Sequence, residues 1–304
     1  MSWIAQTSSQ ILETFASERR RVFGRWRAWI YCRRFSLQND VPLPDELALE
    51  KVIRAMLGQR KIAAIPGAPD VYVVTVPFAN LLPMSDEVII QEANPASVIS
   101  HRSAMAKQRL TTWVPNEIHV TRFDPPDPRR IPLGTTPDDW VGMAYPKGSL
   151  PKRVNAVPVT WTQTAGKWDF GWEIGWAEGL PVYQTDLERT LLDILRAPEK
   201  GGGIGEVIDA WETGLETANV GRLIEYTERF DSPIIRQRVG FLMEAFGITH
   251  PSSEAWREHL QRGGSLKLVA DAPYAATYSA RWNLSINLPK TMRDRFPAGG
   301  IVNG

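Results

Sequence analysis

DELALEKVIRAMLGQRKIAAIPGAPDVYVVTV, residues 45–76, holds a helix, a turn and two strands in succession, and its reading decides the fold of the N-terminal part of the chain. From Asp45 to Leu57 the residues Leu49, Val52, Ile53 and Met56 recur at helical spacing and form one apolar stripe, while Lys51 and Arg54 project from the other side. Gly58 is suited to ending that helix. Lys61 to Ile65 and Val71 to Val76 are β-rich runs joined by Pro66-Gly-Ala-Pro-Asp70, the pattern of a hairpin.

Upstream, Ser36 to Pro44 carries Asn39-Asp40 and two prolines and reads as a loop. Before it, Val22, Phe23, Trp26, Trp29 and Ile30 fall on one arc of a helix that would run from an N-cap at Ser17 to about Arg34. Arg20, Arg21, Arg25, Arg27 and Arg34 occupy the remaining arc, so the sequence predicts an arginine-rich outer face. Helix, helix and two-stranded ribbon is the outline of a winged helix-turn-helix over residues 1–80. Such a module needs a rigid helix whose side chains reach base edges, with flanking cations on phosphates. Lys51 and Arg54 are the candidates for groove contacts, Arg60 and Lys61 for the wing, and the five arginines for gripping the nucleic-acid backbone. The supporting helix such a module requires before its reading helix is not evident between Phe35 and Pro44.

The remainder, residues 81–290, reads as a mixed α/β domain with a small sheet and several helices, followed by a tail at 291–304; the fold class is α+β. Asn94 to Leu110 has the signals of a helix capped by Asn94 with Pro95 at its first position. Ile118 to Thr121 is a short strand. Trp168, Phe170, Trp172, Ile174 and Trp176 alternate with Asp169, Gly171, Glu173 and Gly175, which predicts a strand with one buried face and a hairpin partner at Thr160 to Thr164. Thr185-Asp-Leu-Glu188 resembles a capping box and opens a helix that stops before Pro198. Further helices carry Ile204, Val207, Ile208 and Trp211, then Val220, Leu223 and Ile224. Others begin at Ser232-Pro233 and near Ser252, and β-like runs follow at Ser265 to Ala270 and Arg281 to Leu288.

Composition bounds the function. A chain of 304 residues exceeds the size at which one core usually keeps growing, so two domains are expected. The net charge of +1 conceals seven arginines against one acid between Glu18 and Arg34, a local polyanion site rather than a general coating. Cys32 stands alone, excluding an internal disulfide and a thiolate cluster. The first residues lack the pattern of a secretory signal, and no run approaches 18 apolar residues, so a cytoplasmic protein with no membrane partner is expected. His101, His119, His250 and His259 show no metal-ligand spacing, and Gly201-Gly-Gly-Ile-Gly205 lacks the lysine of a phosphate loop. No catalytic residue, metal or cofactor is expected, and the chain reads as a non-enzyme. The rival enzyme class is a metal-dependent nuclease using Glu173, Glu178, Asp186 and Glu188, which lack a lysine at the usual spacing.

Val98-Ile-Ser-His-Arg-Ser-Ala-Met105, then Leu110-Thr-Thr-Trp-Val-Pro115, resembles a motif of AbiEi-type antitoxins from abortive-infection toxin–antitoxin systems, with Arg109 where that family usually has glycine. Leu180 to Asp193, Arg238 to Glu244 and Arg281 to Asn287 resemble further segments of that family in the same order. The resemblance implies an N-terminal winged helix that represses its own phage-defence operon by binding operator DNA at inverted repeats. It also implies a C-terminal domain that counteracts an AbiEii-like nucleotidyltransferase toxin. A stand-alone transcription regulator is the alternative. Asp186, Glu188, Arg189 and Asp193 belong to the most recognisable stretch, and helix capping alone would select the first two.

Overall fold

The computed structural model describes residues 2–114, 116–258, 260, 266–296 and 302–303; Pro115, His259 and Ser265 lie outside them. The fold is α+β. Two compact units are present. Unit 1 comprises Met1–Ile99, Asn116–Gly166 and Glu173–Gln184, and unit 2 comprises Ser100–Pro115, Lys167–Trp172 and Thr185–Gly304. The first eighty residues therefore share a unit with two later stretches of chain.

Unit 1 opens with α1 (Trp3–Ser17), β1 (Val22–Gly24), α2 (Arg25–Gln38), α3 (Glu46–Gly58), β2 (Ile62–Ala64) and β3 (Val71–Val74). The strands form an antiparallel sheet in the order β1-β3-β2, with Val22 opposite Val73 and Ile62 opposite Val74. The helix expected from Ser17 to Arg34 is thus two elements and a strand. Ser17 ends α1, its hydroxyl donating to the Thr14 carbonyl, and Arg19 adopts a left-handed φ of 54° that turns the chain into β1. Val22 and Phe23 lie in that strand, and α2 begins only at Arg25. The helix that precedes α3 is α2, which extends to Gln38 into the segment read as a loop, with α1 before it. Ile11, Phe15, Phe23, Ile30, Leu49, Val52, Met56 and Val74 pack into one core beneath the three helices and the ribbon.

Unit 1 continues through α4 (Asp86–Ala93), β4 (Val98–Ile99), β5 (Ile118–Asp124), β6 (Arg153–Val154), β7 (Val157–Ala165), β8 (Trp172–Ala177) and β9 (Leu180–Thr185). These strands form a six-stranded sheet in the order β6-β7-β5-β4-β9-β8. Asn94 is the C-cap of α4, not the start of a helix, because Val98 and Ile99 are drawn into the sheet against Thr121 and Val120. The hairpin expected across 165–167 is absent as well. β7 pairs in parallel with β5, and β8 lies at the opposite edge. Gly171, at φ +68°, ends the alternating run early, so Ile174 and Trp176 are 53% and 65% exposed instead of forming a buried face.

Unit 2 contains α5 (His101–Lys107), α6 (Leu187–Arg196), α7 (Ile204–Leu215), α8 (Val220–Arg229), α9 (Pro233–Ala245) and α10 (Pro251–Glu258), which match the helical runs of the sequence closely from α6 onward. β10 (Leu266–Lys267), β11 (Thr277–Ser279), β12 (Leu284–Ser285), α11 (Lys290–Arg293) and β13 (Val302–Asn303) complete it, the strands in the order β10-β12-β11-β13. The segment read as a tail thus carries α11 and a strand paired with β11. Leu191, Leu192, Trp211, Leu223, Val239, Phe241 and Trp282 anchor the core. No helix among the described residues is long and apolar enough to cross a membrane.

Candidate nucleic-acid interface

The charges of unit 1 separate into a buried set and an exposed set. Glu92, near the end of α4 and 2% exposed, is the hub of the buried set. Its carboxylate accepts from Arg20 Nη1 (2.9 Å), from Arg27 Nε (2.9 Å) and Nη2 (2.6 Å), and from the Gly24 amide (2.8 Å). Arg27 is 1% exposed and also donates to the Leu133 carbonyl at 2.9 Å. Burial works against the charge of Arg27, but Glu92 outweighs it and raises the guanidinium pKa above its ordinary value. Arg20 adds a bond to Glu18, whose carboxylate also accepts the Tyr31 hydroxyl.

The remaining arginines of this run are engaged too. Arg34 forms a two-pronged pair with Asp139, 2.8 and 2.7 Å. That hydrogen bonding holds the Asp139 carboxyl down at about 2, against burial. Arg25, on α2, reaches Glu46 (2.5 Å) and Glu50 (2.8 Å) on α3, and Arg21 donates to the Leu82 carbonyl. The outer face of arginines expected from the sequence is therefore not an outer face. Arg20 and Arg27 are interior, and Arg21, Arg25 and Arg34 tie α2 and its approach to the rest of unit 1. These five do not present themselves to a phosphate backbone.

The exposed set lies on and beside α3. Asp45 caps this helix, its carboxylate accepting the Ala48 amide at 2.7 Å. Leu49, Val52, Ile53 and Met56 are all buried to within 2%. The opposite stripe is Leu47, Lys51, Arg54 and Gly58, spaced i, i+4, i+7 and i+11, which places all four on one narrow arc. Leu47 is 60% exposed, the Arg54 side chain 76%, and a side chain at Gly58 would meet nothing within 4 Å. Among the described residues Lys51 has no ion pair or hydrogen bond through its ammonium group; Arg54 keeps one solvent-exposed pair, with Glu50 at 2.7 Å. An exposed pair of this kind contributes little stability and exchanges readily for another anion. Arg60 and Lys61 sit between α3 and β2, at the base of the hairpin, where Arg60 takes a φ of 54° and its carbonyl accepts the Thr75 hydroxyl. The hairpin tip, Pro66 to Asp70, carries no cation.

Glu92 is the residue that sequence reading missed. The sequence Asp86-Glu-Val-Ile-Ile-Gln-Glu-Ala93 carries three acids on an ordinary helix, and nothing local marks Glu92 as the one that is buried.

In unit 2 the charged residues of the Leu180–Asp193 stretch are structural. Arg189, 1% exposed, donates to Asp193 Oδ1 (2.9 Å) and to the carbonyls of Trp168 (2.7 Å) and Phe170 (2.8 Å). Asp186, not Thr185, caps α6 through the Arg189 amide and accepts the Tyr226 hydroxyl at 2.8 Å. Burial raises its pKa. Glu188 accepts the Asn219 amide (2.6 Å) and Arg222 (3.3 Å). Of the four acids considered for a nuclease, Glu173 and Glu178 belong to unit 1 and Asp186 and Glu188 to unit 2. No group of three or more potential metal ligands is present among the described residues.

No protein-family model matches the sequence, and no curated protein matches it. A solved structure does share the fold. The crystal structure of the RV2827C protein from Mycobacterium tuberculosis superposes with a TM-score of 0.52, covering 92% of this chain and 90% of that one at 12% sequence identity. What the chain shares with that protein is an arrangement of helices and strands.

Proposed function

We propose that this chain is a DNA-binding transcriptional repressor that docks on duplex DNA through α3. The observation that carries this reading is the exposed stripe of α3 within an α1-β1-α2-α3-β2-β3 order and a β1-β3-β2 sheet, an order that supports a winged helix-turn-helix. In that reading Lys51 and Arg54 reach base edges in the major groove, Leu47 meets a thymine methyl, and the bare surface at Gly58 permits close approach of the backbone. Arg60 and Lys61 neutralise flanking phosphates.

Salt dependence tests it. Each phosphate neutralised contributes roughly −0.9 to the slope of log K against log salt, so Arg60 and Lys61 give about −1.8 per chain, whereas a backbone grip by Arg20, Arg21, Arg25, Arg27 and Arg34 as well would give about −6. The test is a gel-shift or anisotropy titration with the DNA upstream of the gene between 50 and 200 mM salt. Lys51→Ala and Arg54→Ala should relax sequence preference and cost about 1–3 kcal/mol each where they meet a base. Absence of binding at low salt would remove the reading.

The antitoxin part of the reading is supported by the four ordered segments of family resemblance. Arg109 adds a detail, for it holds a φ of 61°, the backbone region glycine favours, at the position where the AbiEi family usually has glycine. Its test is co-expression with a neighbouring nucleotidyltransferase-like gene. Rescue of growth supports the reading, and unrelieved toxicity rejects it.

A further inference from the structure

We infer that unit 1 holds a binding site for a small aromatic cation, a flat ring carrying an ammonium arm, in a cleft that the nucleic-acid reading does not use. The cleft has a volume of about 370 Å³ and is walled by α2, the start of α3, the hairpin tip and the segment around residues 140–149. That volume lies at the lower end of the range of small-molecule pockets.

Three indoles form its walls: Trp26, Trp29 and Trp140. Each has its N–H engaged elsewhere, Trp26 with the Glu92 carbonyl (2.8 Å), Trp29 with Met143 Sδ (3.1 Å) and Trp140 with Thr135 Oγ1 (2.8 Å). Trp26 carries the Arg27 guanidinium over part of its ring (4.3 Å to the centroid) and packs against the buried Trp140 (6.2 Å between centroids), so what the indoles offer an occupant is the open ring surface of Trp29 and Trp26, which stacks on another ring and attracts positive charge. The charges on the lining point the same way. Glu92 is saturated by Arg20, Arg27 and the Gly24 amide, and Arg25 is held by two carboxylates, Glu46 and Glu50. Asp70, on the rim, is the lining carboxylate that has neither an ion pair nor a hydrogen bond through its side chain among the described residues. An ammonium group fits there, and an anion would face Asp70 and Glu46.

The cleft is built in advance. Gly148, at φ +70°, approaches α4 so closely that a Cβ would lie 2.6 Å from the Asn94 Cα, and the Ser149 amide donates to the Ala93 carbonyl at 2.8 Å. These contacts fix one end of the 140–149 segment against α4, while Trp140 and Met143 fasten the other end to Trp26 and Trp29 of α2, so the walls are set without an occupant.

The experiment is isothermal titration calorimetry of the full chain with 2-phenylethylammonium, with 3-phenylpropionate as the acid of similar shape and ethylammonium as the arm without a ring. Saturable binding of the first is expected, with Kd on the order of 1 mM or tighter, at least tenfold tighter than either comparison compound. Ala144→Trp, at an exposed rim position, should fill the cleft and abolish it. Asp70→Asn keeps a residue that tolerates the φ of 59° and should cut the preference for the cation to under threefold. Far-ultraviolet circular dichroism of both variants checks their fold. No saturation by the cation, equal or tighter binding of the acid, or undiminished binding by folded Ala144→Trp overturns the inference. None of these outcomes depends on whether α3 binds DNA.

Discussion

Glu92→Gln changes one atom of the carboxylate that accepts hydrogen bonds from Arg20, Arg27 and the Gly24 amide. An amide supplies one oxygen in place of two and turns a donor toward groups that are themselves donors. Arg20 retains Glu18, but Arg27 keeps only neutral acceptors, the Leu133 carbonyl and one amide oxygen, while remaining 1% exposed, so a charged guanidinium is left in the interior with no counter-ion. Removing one partner of a buried pair costs about 3–5 kcal/mol, against roughly 5–15 kcal/mol for the whole fold of a typical domain. With urea slopes of about 1–3 kcal/mol per molar, the midpoint should fall by roughly 2 M. Urea unfolding followed by tryptophan emission is the assay, since the Trp26 N–H donates to the carbonyl of this same residue. Arg27→Met added to Glu92→Gln should recover part of the loss, because the stranded charge goes with it. A midpoint shift below about 0.5 M would refute the reasoning. So would a rise in DNA affinity in the single variant, which would mean that Glu92 had been withholding arginines from a phosphate contact.

Three further outcomes follow from particular contacts. Arg34 depresses the Asp139 carboxyl from 3.8 to about 2 in the fold, so its contribution is present above pH 3.8 and is lost as pH falls through about 2; Asp139→Asn should flatten that acid limb in urea melts at stepped pH, and an unchanged limb would exclude the pair as its source. Cys32 is fully buried and burial pushes its thiol up to about 12, so a chromogenic disulfide reagent should leave the native protein unmodified and label one thiol per chain in denaturant; rapid native labelling would contradict this. Glycine to alanine in an open helix stabilises by about 1 kcal/mol, but at Gly240 in α9 the new carbon would lie 2.1 Å from the Trp282 ring; Gly240→Ala should instead lower stability by about 1–3 kcal/mol, while Gly58→Ala, facing open space, should not lower it.

What the sequence made legible was whatever is decided within one turn or one strand. Leu49, Val52, Ile53 and Met56 announce the inner face of α3 because their spacing alone fixes which side is buried. Lys51 and Arg54 could be placed outward by the same logic. The fate of the arginines could not be read locally, since Arg27 finds its carboxylate 65 residues away and Arg34 finds its own 105 residues away. A run of cations looks solvated until the acid that buries it is located. Alternation misled in a different way: it identifies a strand but not its neighbours, and the residues read as β8's hairpin partner belong to a parallel pair with β5. Gly171 shows why the alternating run was read too long, for its left-handed backbone breaks the pleat between Phe170 and Trp172.

Arg27 and Arg34 of α2 take their counter-ions from Glu92 and Asp139, well beyond the first eighty residues. The first eighty residues are therefore not a detachable cassette. Cutting the chain after the ribbon would strip Arg27 and Arg34 of their acids and take Trp140 from the core they border, leaving a fragment prone to collapse and clumping. Any transplant of α2 and α3 onto another scaffold must bring Glu92 and the 133–140 segment with it.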